Sequence, residues 1–274
     1  MLNIIHILNL LLPVLYLITV SAYYVDFIRK TAKLQNLKRY SLLITVALHL
    51  IYLLLRTIEF DHLPMTNKFE VFSLLALNIA LCYVILEIWS DVRETGLFIL
   101  TIPVIFQFLS SAFIKDLVDV PTVLNNKLLG IHVISALLGY SGFAVSAVYG
   151  VLYYILYKEL KLNKFGLVFN RLPSLEHLEK LSYYSVICGF IFLTFAMIIG
   201  IVWLPQAFPN FSYLDPKLIS TTVFWIIFGV GIMAKAVGNW YGKKVIKFYL
   251  IGFVVAMLSM FFANVLVKSF HVFY

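Results

Sequence analysis

Charged residues are scarce in this chain. Only 12% of the 274 residues are Asp, Glu, Lys or Arg, about half the share found in a typical soluble domain. Apolar residues make up 62% of the sequence, and the mean hydropathy is +0.97. A water-soluble fold of this composition would expose large apolar patches. That class is therefore excluded, and lipid surrounds most of the chain.

Cysteine is almost absent as well. Cys82 and Cys188 both lie inside apolar stretches and form no CxxC pair. A disulfide framework and a thiol redox motif are therefore excluded. Zinc is the competing metal for the histidines of the chain, but no HxxxH motif, HExxH motif or carboxylate cluster supports a zinc site.

Apolar runs of roughly 18 to 25 residues alternate with short charged clusters, which is typical of membrane spans. The N-terminal run lacks a preceding positive region and is followed by basic residues, so it is expected to be a retained span rather than a signal peptide. The sequence predicts an all-α polytopic membrane protein with about eight transmembrane helices, forming a single domain over residues 1–274. The predicted spans are 4–26, 40–57, 69–89, 96–114, 129–157, 182–204, 219–237 and 246–267.

The distribution of basic residues predicts the orientation. Fifteen of the 21 lysines and arginines fall on one side of these spans and six on the other. Because basic loops are retained in the cytoplasm, both termini are expected outside, in a bacterial inner (cytoplasmic) membrane. This asymmetry also accounts for the net charge of +8, so no nucleic-acid partner is expected.

Histidines are the most informative polar residues, because an ionisable ring in or beside lipid is a functional candidate. The predicted topology brings His62, His132 and His271 to the outer face, at or near the ends of spans 2, 5 and 8. A single interfacial histidine is more often a hydrogen-bonded structural residue than a ligand. Two on one face, however, could hold haem iron from both sides.

The outer loop from Trp203 to Lys217, WLPQAFPNFSYLDPK, is rich in aromatic residues and proline and carries almost no charge before Asp215. Trp225 follows in the next span. Such a segment is either an interfacial aromatic belt or a flat apolar platform suited to the face of a porphyrin.

Five groups of residues, in order and with matching spacing, resemble one family of membrane proteins. The groups are Arg56, Glu59, His62, Pro64, Asn67 and Glu70; His132, Val133, Gly139 and Tyr140; the PSLE run from Pro173 with Gly189, Phe190, Thr194, Gly200 and Trp203; Asp215, Pro216, Lys217 and Trp225; and Asn264 with His271. Together they resemble the CcsA-type proteins of cytochrome c maturation, which share a tryptophan-rich haem-handling domain.

The resemblance implies a protein that holds haem at the outer membrane face for attachment to apocytochrome c, with His132 and His271 as axial iron ligands. The haem would be b-type and transiently bound, and a Ccs1/ResB-like membrane protein would be the partner. No catalytic residue is expected, and the chain would be at most part of a cytochrome c synthase complex. The other residues implied to contact haem are Trp203, Asp215, Pro216, Lys217, Trp225 and His62.

The chain also departs from the family pattern. Trp203 is retained, but other tryptophan positions are occupied by Phe208, Ser212 and Leu214. Met233 stands where many members have a membrane-embedded histidine, for which His49 is a candidate substitute. The run at 15–27, LYLITVSAYYVDF, is similar to the HemX-like branch of the same superfamily. That branch implies the alternative function, a non-catalytic membrane regulator of haem biosynthesis.

Two further classes stay open. A transporter could use His49 and Glu87 inside the membrane, although inverted repeats and broken helices are not evident in the sequence. A purely structural membrane subunit would leave the grouping of His132, His271 and the Asp-Pro-Lys segment on one face unexplained.

Overall fold

The computed structural model describes residues 1–30, 32–116, 126–207 and 212–265. Over these parts the chain is helical and contains no strand, which confirms the predicted all-α fold. The helices are α1 (Leu2–Arg29), α2 (Ala32–Phe60), α3 (Lys68–Ser90), α4 (Gly96–Phe113), α5 (Lys127–Lys161), α6 (Leu167–Arg171), α7 (Leu175–Ala207), α8 (Pro216–Ala236) and α9 (Lys243–Val265).

Within the described residues, seven helices are long and apolar enough to cross a membrane: α1 to α5, α7 and α8. They coincide with the first seven predicted spans. The eighth predicted span, 246–267, falls on α9 and ends outside the described residues. The chain is a multi-pass membrane protein, and its orientation stays a prediction.

Several helices extend beyond their apolar runs. Helix α7 starts at Leu175 rather than 182, because Ser174 begins the helix by accepting a hydrogen bond from the His177 backbone N–H at 3.3 Å. Helix α5 continues to Lys161, beyond the end of the predicted span 129–157. Hydropathy predicts which segment lies in lipid, whereas the capping residues determine where the helix begins and ends.

The chain divides into two compact units. The first covers Met1–Gly130 and Asn170–Leu172, and therefore contains α1 to α4. The second covers Ile131–Phe169 and Pro173–Phe273, and contains most of α5 with α7, α8 and α9. That the whole chain acts as a single domain stays a prediction.

Buried ion pairs lie near both ends of α2 in the first unit. The Arg56 guanidinium donates to Glu70 and to Asp116, each at 2.8 Å, although its side chain is only 2% exposed. Towards the other end of α2, Lys38 Nζ donates to Asp26 Oδ2 at 2.6 Å. Charges in or beside lipid are stable only when they are paired in this way.

Helices α5 and α7 approach closely in the second unit. A Cβ atom on Gly142 would lie 2.8 Å from the Gly189 backbone and 2.9 Å from the Ser185 carbonyl. Small residues at such crossings allow the backbones of membrane helices to touch. This contact aligns the α5 and α7 residues that form the candidate site.

Candidate functional site

His132 is fixed against the backbone of α7. This half-buried residue lies in the second turn of α5, and its Nδ1 is 2.8 Å from the Ala196 carbonyl oxygen. A carbonyl can only accept, so the neutral ring must carry its proton on Nδ1 and its lone pair on Nε2. Metal-binding histidines are commonly oriented by such a second hydrogen bond.

The Asp-Pro-Lys segment begins helix α8. Asp215 is 5% exposed, and its side chain accepts a hydrogen bond from the Lys217 backbone N–H at 2.9 Å. Pro216 occupies the first turn, where the missing N–H costs nothing and the fixed φ suits the helix. Helix α8 therefore begins at Pro216, ahead of the predicted span 219–237, and this geometry sets the direction in which the chain enters the helix.

Trp225 is held from two sides in the second unit. Its Nε1–H donates to Thr194 Oγ1 at 2.6 Å, and its ring stacks on Phe190 with centroids 5.0 Å apart and an interplanar angle of 18°. The Thr194 hydroxyl in turn donates to the Phe190 carbonyl at 2.7 Å. Trp225 is therefore fixed in position and in ring orientation.

A second aromatic contact connects α5 to α8. The Tyr140 ring stacks on Phe224, with centroids 5.7 Å apart and an interplanar angle of 19°, and its hydroxyl lies 3.3 Å from Thr221 Oγ1. Phe143 packs edge-to-face on the same Phe224 ring at 4.7 Å. Edge and offset contacts of this kind add to the energy of burial. The α5–α8 contact is consequently made of rigid rings.

The described residues cover only part of the predicted haem loop. Trp203 is half-buried near the end of α7, while Ser212 and Leu214 are exposed just before α8. Phe208 and His271 lie outside the described residues. The pairing of His132 with His271 therefore stays a prediction.

His62 belongs to the first unit, in the segment between α2 and α3. It is 4% exposed, stacks on Phe60 at 6.0 Å, and its Nδ1 lies 3.0 Å from the Leu63 carbonyl. Because the Leu63 carbonyl can only accept, the neutral His62 ring carries its proton on Nδ1. Contact between His62 and haem stays a prediction.

His49 is committed to a structural hydrogen-bond chain. Its Nδ1 lies 2.9 Å from Tyr16 Oη and its Nε2 lies 2.9 Å from Ser73 Oγ. Ser73 donates its only proton to the Gln107 amide oxygen at 3.0 Å, so His49 Nε2 donates and Nδ1 accepts. Both ring nitrogens of His49 are therefore engaged within the protein, and its candidate role in place of a histidine at position 233 stays a prediction.

The chain matches the family model of the cytochrome C assembly protein over residues 6–271. It belongs to the cytochrome c assembly family. It is 24% identical over 272 residues to the cytochrome c biogenesis protein CcsA of Heterosigma akashiwo, covering 86% of this chain and 84% of the relative. The CcsA of Guillardia theta is 26% identical over 236 residues, covering 79% and 78%. Protein HemX of Bacillus subtilis is 25% identical over 268 residues, covering 94% of each chain.

Membership of the cytochrome c assembly family agrees with the resemblance to CcsA-type and HemX-like proteins, and it implies a role in handling haem. Thr194, which fixes Trp225, is not among the residues that the resemblance implied to contact haem. Thr194 belongs to the group of residues that resemble the family. Its contact with Trp225 could not be predicted, however, because the contact depends on how α7 and α8 are rotated about their axes.

Proposed function

We propose that this protein holds haem at the outer face of a bacterial cytoplasmic membrane and presents it for attachment to apocytochrome c. A role in cytochrome c biogenesis follows from the family, and haem delivery is the finer step of the proposal. It is supported most by the His132 ring, whose hydrogen bond to Ala196 leaves the lone pair on Nε2. An imidazole in that tautomer is prepared to bind iron.

His132 and His271 would hold the haem iron, one imidazole on each side. The hydrogen bond from His132 Nδ1 to Ala196 restrains rotation of the ring before haem binds, which reduces the entropy lost on binding.

The aromatic residues would bound one edge of the haem. Trp225, restrained by Thr194 and Phe190, offers a flat surface of defined orientation. Asp215 and Pro216 set the angle at which the preceding loop joins α8. Trp203, Lys217 and His62 complete the set of residues proposed to contact the ligand.

Haem supplies the vinyl groups to which the cysteines of apocytochrome c become joined. The contribution of this chain would be position and orientation rather than acid or base catalysis. The loop between spans 6 and 7 is short, so a Ccs1/ResB-like membrane partner would supply the larger outer domain that receives apocytochrome c. In this proposal both units act as one haem-handling domain.

Regulation of haem biosynthesis is the second candidate function. Protein HemX of Bacillus subtilis aligns with 94% of each chain, and Ser212 and Leu214 stand at positions where the CcsA-type pattern has tryptophan. A regulator of this class would retain the membrane fold without delivering haem to a cytochrome.

Absorption spectroscopy of the detergent-purified protein tests haem binding. We expect a Soret band, split visible bands on reduction, and a b-type pyridine haemochrome, because the haem would be held by ligands rather than by thioether bonds. Deletion of the gene should also remove c-type cytochromes from haem-stained membranes. Haem binding with normal cytochromes would favour the regulator, whereas a preparation that takes up no haem would contradict the proposal.

A further inference from the structure

The end of α5 and the connection to α6 expose apolar and basic side chains together. Every residue from Lys161 to Leu167, KLNKFGL, is exposed. Leu162, Phe165 and Leu167 are 52%, 60% and 47% exposed. Large apolar side chains grouped on a surface mark an interaction site. Because lysines alternate with them, residues 158–167, here called the α5–α6 surface, suit a partner that is both apolar and negatively charged.

A tight turn keeps this surface beside the end of α5. Asn163 adopts a left-handed backbone with a φ of 52°, and the Lys164 N–H donates to the Glu159 carbonyl at 2.9 Å. This hydrogen-bond pattern reverses the chain at the C-terminus of a helix. The Glu159 side chain then accepts the Phe169 backbone N–H at 2.9 Å. Residues 163–169 are thereby held next to the last turn of the helix.

The end of α5 lies close to the membrane surface. The predicted span of this helix is 129–157, and Lys161 follows about one turn later, roughly 6 Å along the axis. The headgroup layer on each side of a bilayer is itself roughly 5–8 Å thick. Further along the chain, Arg171 Nη2 donates to the Ile28 carbonyl in the last turn of α1 at 2.6 Å. The connection is therefore held at the level of a helix end at this position too.

Basic residues dominate the charge of the α5–α6 surface. Lys158, Lys161 and Lys164 are exposed, and Glu159 is the only acidic residue in the sequence from 158 to 167. Each lysine near an anionic bilayer strengthens binding several-fold. At this depth the leaflet supplies both an apolar layer and negative headgroups, which favours a lipid surface over a protein as the partner.

We propose that the α5–α6 surface lies on the bilayer and binds its anionic lipids. Leu162, Phe165 and Leu167 enter the headgroup layer, as the apolar side of an interfacial segment does, while the lysines are attracted to the negative headgroups. This interaction goes beyond the proposed handling of haem and does not depend on it. It can therefore be measured on the protein with or without haem.

Spin-label accessibility of the full-length protein in nanodiscs tests the depth of the surface. Cys82 and Cys188 are first replaced by alanine, and a nitroxide is attached at Leu162→Cys or, as the control, at Glu176→Cys, an exposed position in the first turn of α7. In phosphatidylglycerol we expect the label at 162 to collide several-fold more often with oxygen, which is enriched in lipid, than with a neutral water-soluble nickel chelate. The label at 176 should show the reverse. Equal access of the chelate to both labels would overturn the proposal.

The contribution of charge is measured with the same label at 162. Access of the chelate should rise several-fold when phosphatidylcholine replaces phosphatidylglycerol. The double variant Lys161→Gln with Lys164→Gln should give the phosphatidylcholine value in both lipids, whereas Lys180→Gln, a change at an exposed lysine of α7, should behave like the unaltered protein. Access that is the same in both lipids for the unaltered protein would contradict the binding of anionic lipids.

The apolar contribution is tested by Phe165→Ser and Leu167→Ser, each of which should raise access of the chelate to the label at 162. Two variants are needed because Phe165 also packs edge-to-face on Phe169, with centroids 4.9 Å apart, so its loss could loosen the turn. No effect from either variant would overturn the proposed insertion. A label that is open to the chelate in nanodiscs but shielded in native membranes would assign the surface to a protein partner instead.

Discussion

Thr194→Val should release Trp225 from its fixed position. Thr194 Oγ1 accepts the Trp225 Nε1–H at 2.6 Å, and valine has nearly the same shape without the oxygen. A fully buried donor left unpaired costs about 1–3 kcal/mol, but this donor is partly buried, and hydrogen bonds between membrane helices contribute about 0.6 kcal/mol on average and up to about 1.7. We therefore expect the free energy of unfolding to fall by about 1–2 kcal/mol, a factor of roughly 5–30 in the unfolding equilibrium.

The assay is reversible unfolding in detergent, followed by tryptophan fluorescence, with haem retention measured on the same samples. Thr194→Ser, which keeps the hydroxyl, should restore both properties. Thr222→Val is the matched control, because the Thr222 hydroxyl also bonds a carbonyl of its own helix, Leu218, at 2.8 Å, but is exposed. If Thr194→Val destabilised the protein no more than Thr222→Val, the hydrogen bond would not position Trp225.

Three other predictions concern the cap of α8, the ion pair between Arg56 and Asp116, and the topology. Asp215→Ala should destabilise the protein by about 1 kcal/mol through loss of the α8 cap and reduce haem retention more than Asp91→Asn; equal effects in melting and haem assays would make Asp215 an ordinary cap. Burial alone would raise the pKa of Asp116, but hydrogen bonds from His6 and Arg56 lower it. Its stabilising contribution should therefore be present above the ordinary pKa of about 4 and lost as the pH falls below that, and Asp116→Asn should flatten acid unfolding curves in this range. Cysteine tags should be labelled from the cytoplasm at 35, 165 and 242 and from outside at 63, 120, 210 and 274; a cytoplasmic C-terminus would contradict the orientation.

The spans could be predicted from the sequence because lipid requires a long apolar segment for each crossing. The start of α8 was also predictable, since Asp215 and Pro216 are local signals whose partners lie within one turn. The start of α7 was predictable only in part. Serine commonly begins a helix, as Ser174 does here, but nothing local indicates that this helix continues without a break into the membrane.

Partners between helices could not be predicted from the sequence. Arg56 was visible as a charge at the end of a span, yet its selection of Glu70 and Asp116 depends on how the helices are rotated and how close they lie. His49 was a candidate ligand because its partners on the neighbouring helices could not be predicted either. Only its position between Tyr16 and Ser73 shows that its nitrogens are engaged.

Ligand rescue tests most directly whether the His132 imidazole binds haem iron. Absorption spectra are compared for the unaltered protein, His132→Ala, His271→Ala and the double variant, each with and without free imidazole. His177→Ala is the control, since His177 is an exposed residue in the first turn of α7 whose side chain has no proposed role.

We expect each single variant to lose most of its bound haem and to regain part of it with imidazole, because a small molecule can fill a vacant coordination position but cannot repack a helix. His177→Ala should leave the spectrum unchanged. Undiminished low-spin haem in the double variant of His132 and His271 would contradict the axial-ligand assignment and favour the regulatory function.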